Sequence, residues 1–185
     1  NHDGTINAND KVDLGNGLPK YTFGFNFTLG YKGFDLSANF TGAAGFQIAQ
    51  SYRDPSGSQG NYSHRILGRW TGEGTSNEMP RVTYGDVGNW LFSDLYLQDG
   101  DYIRLQNLTL GYDFKKLISW KGLSKLRLYF QVQNLFTLTK YDGMDPEIGS
   151  FNGTDGNSSD SWVSGVDMGY YPHPRTFIVG LNLAF

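Results

Sequence analysis

Arg175-Thr176-Phe177-Ile178-Val179-Gly180-Leu181-Asn182-Leu183-Ala184-Phe185 decides how the rest of the chain is read. Phe177, Val179, Leu181, Leu183 and Phe185 share one parity. Thr176, Gly180, Asn182 and Ala184 share the other, where Ile178 is the single large apolar residue. Side chains of a strand alternate, so a period of two predicts one greasy face and one face of small or polar groups. A soluble chain seldom finishes this way, because termini fray and tend to be polar. A membrane-barrel strand has this form: apolar toward lipid, small or polar toward the lumen, aromatic at the interface.

The same pattern recurs upstream. Tyr21, Phe23, Phe25, Phe27, Leu29 and Tyr31 alternate with Thr22, Gly24, Asn26, Thr28 and Gly30. Lys32-Gly33 then reads as a two-residue hairpin turn. Phe34 to Gly42 returns, with Phe34, Leu36, Ala38 and Phe40 opposite Asp35, Ser37, Asn39 and Thr41. A third strand is expected over Asp101–Phe114, and its parity changes midway. Leu108, Leu110, Tyr112 and Phe114 continue the lipid-type face, whereas Ile103 and Leu105 do not. Either a bulge near Asn107 resets the register, or the first half stands above the membrane and packs inward. A basic turn, 115–125, carries Trp120. The fourth strand is expected over Leu126–Thr137, with Arg127, Gln131 and Gln133 facing a hydrated lumen; in a dry core each would need a partner.

Composition agrees with this class. The 185 residues include 25 Gly, 12 Tyr, 13 Phe and no Cys. Aromatics with glycine at this level suit a β-protein with long loops and suit a helical bundle badly. Mean hydropathy is -0.44, and no apolar run is long enough for a membrane helix. That leaves a barrel open, since barrel strands hide their apolar residues by alternation. The absence of Cys excludes a disulfide framework and thiolate metal sites. A net charge of -3 gives no basic footprint for nucleic acid.

Three long loops are expected, over 1–20, 43–98 and 138–174. Placing the short connections on one side of a membrane puts all three on the other, as in outer-membrane barrels. Five strands or so cannot close a barrel, so the chain reads as the C-terminal portion of a larger one. Within 43–98, Tyr62, Ile66, Leu67 and Trp70 recur at helical spacing and predict one short helix. Trp70, Arg81, Tyr84 and Trp90 are candidate contacts to a substrate or partner; packing of the loop on itself is the plainer reading of each. In the first loop, Gly4 set at the sixth position of a calcium loop puts Asn1, Asp3, Thr5 (by its carbonyl), Asn7 and Asp10 at ligand positions. An Asx-rich turn without metal explains the same residues. The register would start before Asn1, so a longer parent is expected.

Three stretches, taken together, carry a family resemblance. They are Asp99-Gly100-Asp101-Tyr102-Ile103-Arg104-Leu105-Gln106-Asn107-Leu108-Thr109-Leu110-Gly111-Tyr112; Gln133-Asn134-Leu135-Phe136-Thr137-Leu138-Thr139-Lys140-Tyr141 with Asp145-Pro146-Glu147; and Gly169-Tyr170-Tyr171-Pro172-His173-Pro174-Arg175-Thr176-Phe177. In this order they resemble the C-terminal end of SusC/RagA-type TonB-linked outer-membrane transporters. Asp3-Gly4-Thr5-Ile6 with Asp10, and Tyr21 to Leu36, are similar as well; the loop 43–98 matches least.

The resemblance implies an all-β, antiparallel 22-stranded barrel in the outer membrane of a Gram-negative bacterium. It implies uptake of glycans, oligosaccharides or peptides energised through TonB, and a SusD-like surface lipoprotein that delivers the cargo. Plug and TonB box would lie outside these residues. It also implies that Phe185, as a terminal aromatic, serves as a barrel-assembly signal. The alternative is a structural or adhesive outer-membrane barrel without TonB coupling. An enzyme is not expected: His2, His64 and His173 are the only histidines, His173 sits between two prolines, and no Gly-x-Ser-x-Gly occurs. Apart from calcium no cofactor is expected.

Overall fold

The computed structural model describes residues 4, 10–51, 64–82, 92–118, 120–148 and 164–185. Among these residues eight strands form: β1 (Tyr21–Tyr31), β2 (Phe34–Ala44), β3 (Gln47–Gln50), β4 (Leu97–Asp99), β5 (Tyr102–Asp113), β6 (Lys125–Thr139), β7 (Val166–Asp167) and β8 (Thr176–Ala184). β1, β2, β5, β6 and β8 make one sheet in that order, each antiparallel to its neighbour. Among the described residues no helix is long and apolar enough to cross a membrane, which says nothing about crossing by strands.

Register joins the alternating faces into two continuous surfaces. Phe25 pairs with Phe40, Leu36 with Leu110, Leu110 with Phe130, and Phe130 with Val179. Directly paired residues point the same way, so one apolar face runs from edge to edge. Its rings touch: Phe34 lies 4.4 Å from Tyr112, and Phe130 stacks on Phe177 at 6.2 Å. Nothing among the described residues covers this face, and Phe25 is 59% and Val179 72% exposed.

The turn at one end is tight. Lys32 and Gly33 both have positive φ, 48° and 97°. That is the mirror-image turn whose twist matches the flanking strands, and glycine takes the second position without strain.

The parity change in β5 has the first of its two expected causes. Gln106 is skipped in the ladders to both β2 and β6. Leu105 therefore pairs with Phe40 and Phe136, and Ile103 with Gly42 and Leu138, so both return to the apolar face. Inward packing of these two residues is excluded. The same irregularity skips Asn134 and Leu135 in β6, where Asn134 has φ 51°, a left-handed conformation that Asn tolerates better than most residues. Tyr102 and Arg104 consequently share the polar face.

That polar face is hydrogen-bonded to itself. Asn39 donates to Asn26 at 2.6 Å, and Gln131 to Asn107 at 3.2 Å. Arg127 of β6 reaches across β5 to Asp35 of β2, with Nε 2.8 Å from Oδ1. It passes over Gly111, where a Cβ would stand 2.5 Å from the guanidinium. The same guanidinium lies 4.9 Å from the Tyr129 ring.

Ile48 and Asp167, in the connections, are fully buried, while Arg104, Leu105 and Val132 are buried within the large sheet. β3 pairs antiparallel with β4 and parallel with β7, so pieces of the expected loops 43–98 and 138–174 form a small sheet of their own. Around it Ala43, Phe46, Ile48 and Tyr141 make a cluster in which Ile48 is fully buried. The helical spacing near residue 66 produces a 3₁₀ segment, His64–Gly68; Tyr62 lies outside the described residues.

Candidate functional site

Three stretches far apart in sequence meet where the small sheet joins the large one. Arg104 projects from β5, above the bulge, with its side chain 3% exposed. Its Nε donates to Thr137 Oγ1 of β6 at 3.0 Å, and its Nη1 to Glu147 Oε2 at 2.7 Å. Its Nη2 donates to Asp145 Oδ1. Asp145, 7% exposed, also accepts the backbone N–H of Glu147 at 2.9 Å and that of His173 at 3.0 Å. The His173 ring Nδ1 stands 2.9 Å from the same carboxylate.

Local sequence sets this geometry. Pro146 follows Asp145, and the Asp145 carboxylate caps the N–H two residues on, an Asx turn. Pro172 and Pro174 fix φ on either side of His173 and so hold its N–H and ring toward Asp145. Burial by itself would raise the Asp145 carboxyl; the N–H groups of His173 and Glu147, the His173 ring and the Arg104 guanidinium outweigh it and hold the group below its ordinary value of 3.8.

A second buried carboxylate braces the same region. Asp167 of β7 accepts from the Tyr141 hydroxyl, and from the backbone N–H of Gly169 at 2.8 Å and of Tyr170 at 3.2 Å. Ala49 and Ser51 donate to the carbonyls of Gly165 and Asp167, each at 2.8 Å. The loop segments are thus held by buried polar bonds with their partners in place, as buried polar groups require.

Among the clefts in the connections, two hold residues that the sequence singles out. One, of about 480 Å³, is lined by Trp70, Ser76, Asn77, Glu78, Met79, Pro80 and Arg81. Its walls are stapled: Trp70 N donates to Met79 O at 2.8 Å, Thr75 Oγ1 accepts from Thr71 N at 2.8 Å, and Ser76 Oγ accepts from Met79 N at 3.1 Å. The other, about 1150 Å³, runs between residues 10–17 and the small sheet, past Gln47, Leu97 and Val166.

The structure brings Trp70 and Arg81 into one cleft and places Asp10 on the larger one. Tyr84, Trp90, Asn1, Asp3, Thr5 and Asn7 lie outside the described residues. Phe185 is at the opposite end of the sheet, edge-on to Trp120 at 6.2 Å. Among the described residues no three His, Asp or Glu side chains converge as metal ligands. Sequence reasoning missed the Arg104–Asp145–Glu147–His173 set as a unit. The signal was a lone Arg between Ile103 and Leu105, which needs a buried acid if its face is covered.

The fold and sequence have relatives. No protein-family model matches the chain. It is 36% identical to TonB-dependent receptor P3 of Formosa agariphila over 98% of this chain and 18% of that receptor. It is 29% identical to TonB-dependent receptor SusC of Bacteroides thetaiotaomicron over 100% of this chain and 17% of that receptor. The RagAB peptide importer in its open-open state superposes with a TM-score of 0.67 at 25% identity, over 91% of this chain and 17% of that one. The closed-closed state, at 22% identity and a TM-score of 0.68, supports the fold. The chain is a relative of the SusC/RagA-type TonB-dependent receptors and matches one segment of them over nearly its whole length.

Proposed function

We propose that this chain is one part of the wall and external surface of an outer-membrane importer. The observation that carries the reading is the inverted burial. Large apolar side chains stand bare on the strands, as lipid contact requires, while Phe46, Ile48 and Tyr141 are buried in the connections. A water-soluble sheet would cover such a face. On this reading β1 and β8 continue into further strands of a closed, 22-stranded barrel. The Lys32-Gly33 end is periplasmic, and the loops 1–20, 43–98 and 138–174 are external.

Import is TonB-energised, through a plug and TonB box elsewhere in the parent protein, with a SusD-like lipoprotein delivering the cargo. Cargo is a glycan, an oligosaccharide or a peptide; likeness to the RagAB peptide importer supports the peptide class, and the glycan class is what the family resemblance implies. Trp70 offers a ring face, and Arg81, Asn77 and Glu78 offer polar groups, for cargo or lipoprotein. No step here needs covalent chemistry by the barrel. The test is growth of a strain lacking the full-length gene, with oligosaccharides or peptides as sole carbon source. Loss of growth on one class, restored by the intact gene and not by one lacking its TonB box, is expected. Undiminished growth on both would sink the transport reading and favour a structural or adhesive barrel.

The first loop is proposed to hold calcium through Asn1, Asp3, Thr5, Asn7 and Asp10. Carboxylate, amide and carbonyl oxygens are the donors that a hard cation takes. Chelation with EGTA is expected to lower the unfolding temperature of the full-length protein and to leave an Asp10→Asn variant unmoved. An equal response of the two proteins would argue against the site.

A further inference from the structure

We propose that the short-turn end of this chain binds the headgroups of anionic phospholipids. The proposal rests on the membrane reading above and adds which lipid class the periplasmic leaflet presents there. The basic turn 115–125 is the feature that import leaves unexplained.

Charge is the first observation. Among the described residues Lys32, Lys115, Lys121, Lys125 and Arg127 belong to this end, against Asp35 and Asp113 alone among the acids. Both acids are engaged: Asp35 by Arg127, and Asp113 by the backbone N–H of Lys115 at 2.9 Å. From Phe114 to Tyr141 the sequence holds no Asp or Glu. The chain as a whole is acidic, with a net charge of -3, so the excess of acid belongs to the long-loop end. A sheet with no preference between its two ends would not separate charge this way.

Geometry is the second. Leu117, Trp120 and Phe185 are 68%, 60% and 80% exposed, and Trp120 meets Phe185 edge-on. Phe185 continues the parity of the apolar face past β8, and Trp120 beside it adds a second ring there. The turn that carries Leu117 and Trp120 is tied to the strands. Its Leu123 is buried, Ser124 N donates to Ala184 O at 2.8 Å, and Lys115 Nζ donates to Trp120 O at 2.7 Å. Lys121 and Lys125 are exposed. At the neighbouring turn Lys32 Nζ lies 5.2 Å from the Tyr31 ring.

Aliphatic and aromatic groups followed outward by ammonium groups repeat the layers of a phospholipid monolayer, acyl chain and then phosphate. Zwitterionic headgroups would satisfy the aromatics. A surplus of uncompensated lysine selects a headgroup with net negative charge.

The test uses the full-length protein, delipidated in non-ionic detergent and exposed to labelled phosphatidylglycerol or phosphatidylcholine. The wild type is expected to retain phosphatidylglycerol in preference. K121Q/K125Q is expected to lower that retention by about fivefold or more, given the attraction of each lysine to an anionic surface. Phosphatidylcholine retention and heat-modifiable gel mobility stay unchanged. Equal retention of the two lipids, or a variant that keeps the preference, overturns the proposal. Failure of the membrane reading shows separately, as absence of heat-modifiable insertion into phosphatidylcholine vesicles by the wild type, and takes the proposal with it.

Discussion

Arg104→Gln in the full-length protein is expected to release the long loops from the sheet. The substitution leaves Asp145, 7% exposed, as a buried carboxylate without its cation. Breaking one partner of a buried pair costs about 3–5 kcal/mol. The loss falls on the latch, because Arg104 joins β5 to Thr137, Asp145 and Glu147 at once. Limited proteolysis is the readout: new cleavage is expected between residues 140 and 175, with heat-modifiable mobility on gels retained. Arg104→Gln with Asp145→Asn should recover part of the protection, since the stranded charge is gone. If the single variant is cut no faster than the wild type, the cluster does not hold the loops.

The pH dependence has a definite sign. The Asp145 carboxyl is held below its ordinary value in the folded chain. Its contribution to stability is therefore complete above that ordinary value and is lost as pH falls through the lower, folded value. Protection of the 140–175 region should be unchanged between about pH 7 and pH 5 and decline only below the usual carboxylate range. A decline already complete at about pH 5 would mean that another group controls the latch.

Much of the sheet was legible because alternation is a local signal. Tyr21–Tyr31 alternates without a fault, and β1 has those bounds. The bulge was legible as a parity conflict between Leu105 and Leu108, but not its cause, since pairing with Phe40 and Phe136 is non-local. The loop layer was illegible for the same reason. β3 and β7 are only four and two residues long, and their parallel pairing joins Ala49 to Val166. No period marks such short pieces. The Arg104 cluster runs from position 104 to position 173, and its Arg104–Glu147 bond alone joins residues 43 positions apart. Each member was visible as part of a motif, whereas the ion pair that unites them is a property of the fold. Trp70 and Arg81 were picked out as single side chains; their sharing of a cleft follows from the bridge between Arg69 and Met79.

The sharpest discrimination between a lipid-facing and a water-facing sheet is a pair of adjacent arginines. Phe130 and Gln131 are neighbours in β6, near mid-strand, on opposite faces. Phe130 stacks on Phe177 and pairs with Leu110, whereas Gln131 bonds Asn107 on the polar side. In a membrane barrel an arginine on the lipid face costs about 2–4 kcal/mol at the bilayer midplane, while lumen substitutions mainly tune selectivity. Phe130→Arg should therefore lower the denaturant midpoint of the full-length protein in vesicles and its outer-membrane level, and also lose the ring stack. Gln131→Arg, which adds the same charge one residue away, should leave both close to wild type. In a water-soluble sheet the bare face would be the one to accept arginine, because a charge there meets solvent, and the order of the two variants would reverse. The comparison also controls for helix and strand propensity, since the introduced residue, the strand and the depth are the same. A result with Phe130→Arg as stable as Gln131→Arg would remove the main support for lipid contact, and with it the import reading built on that face.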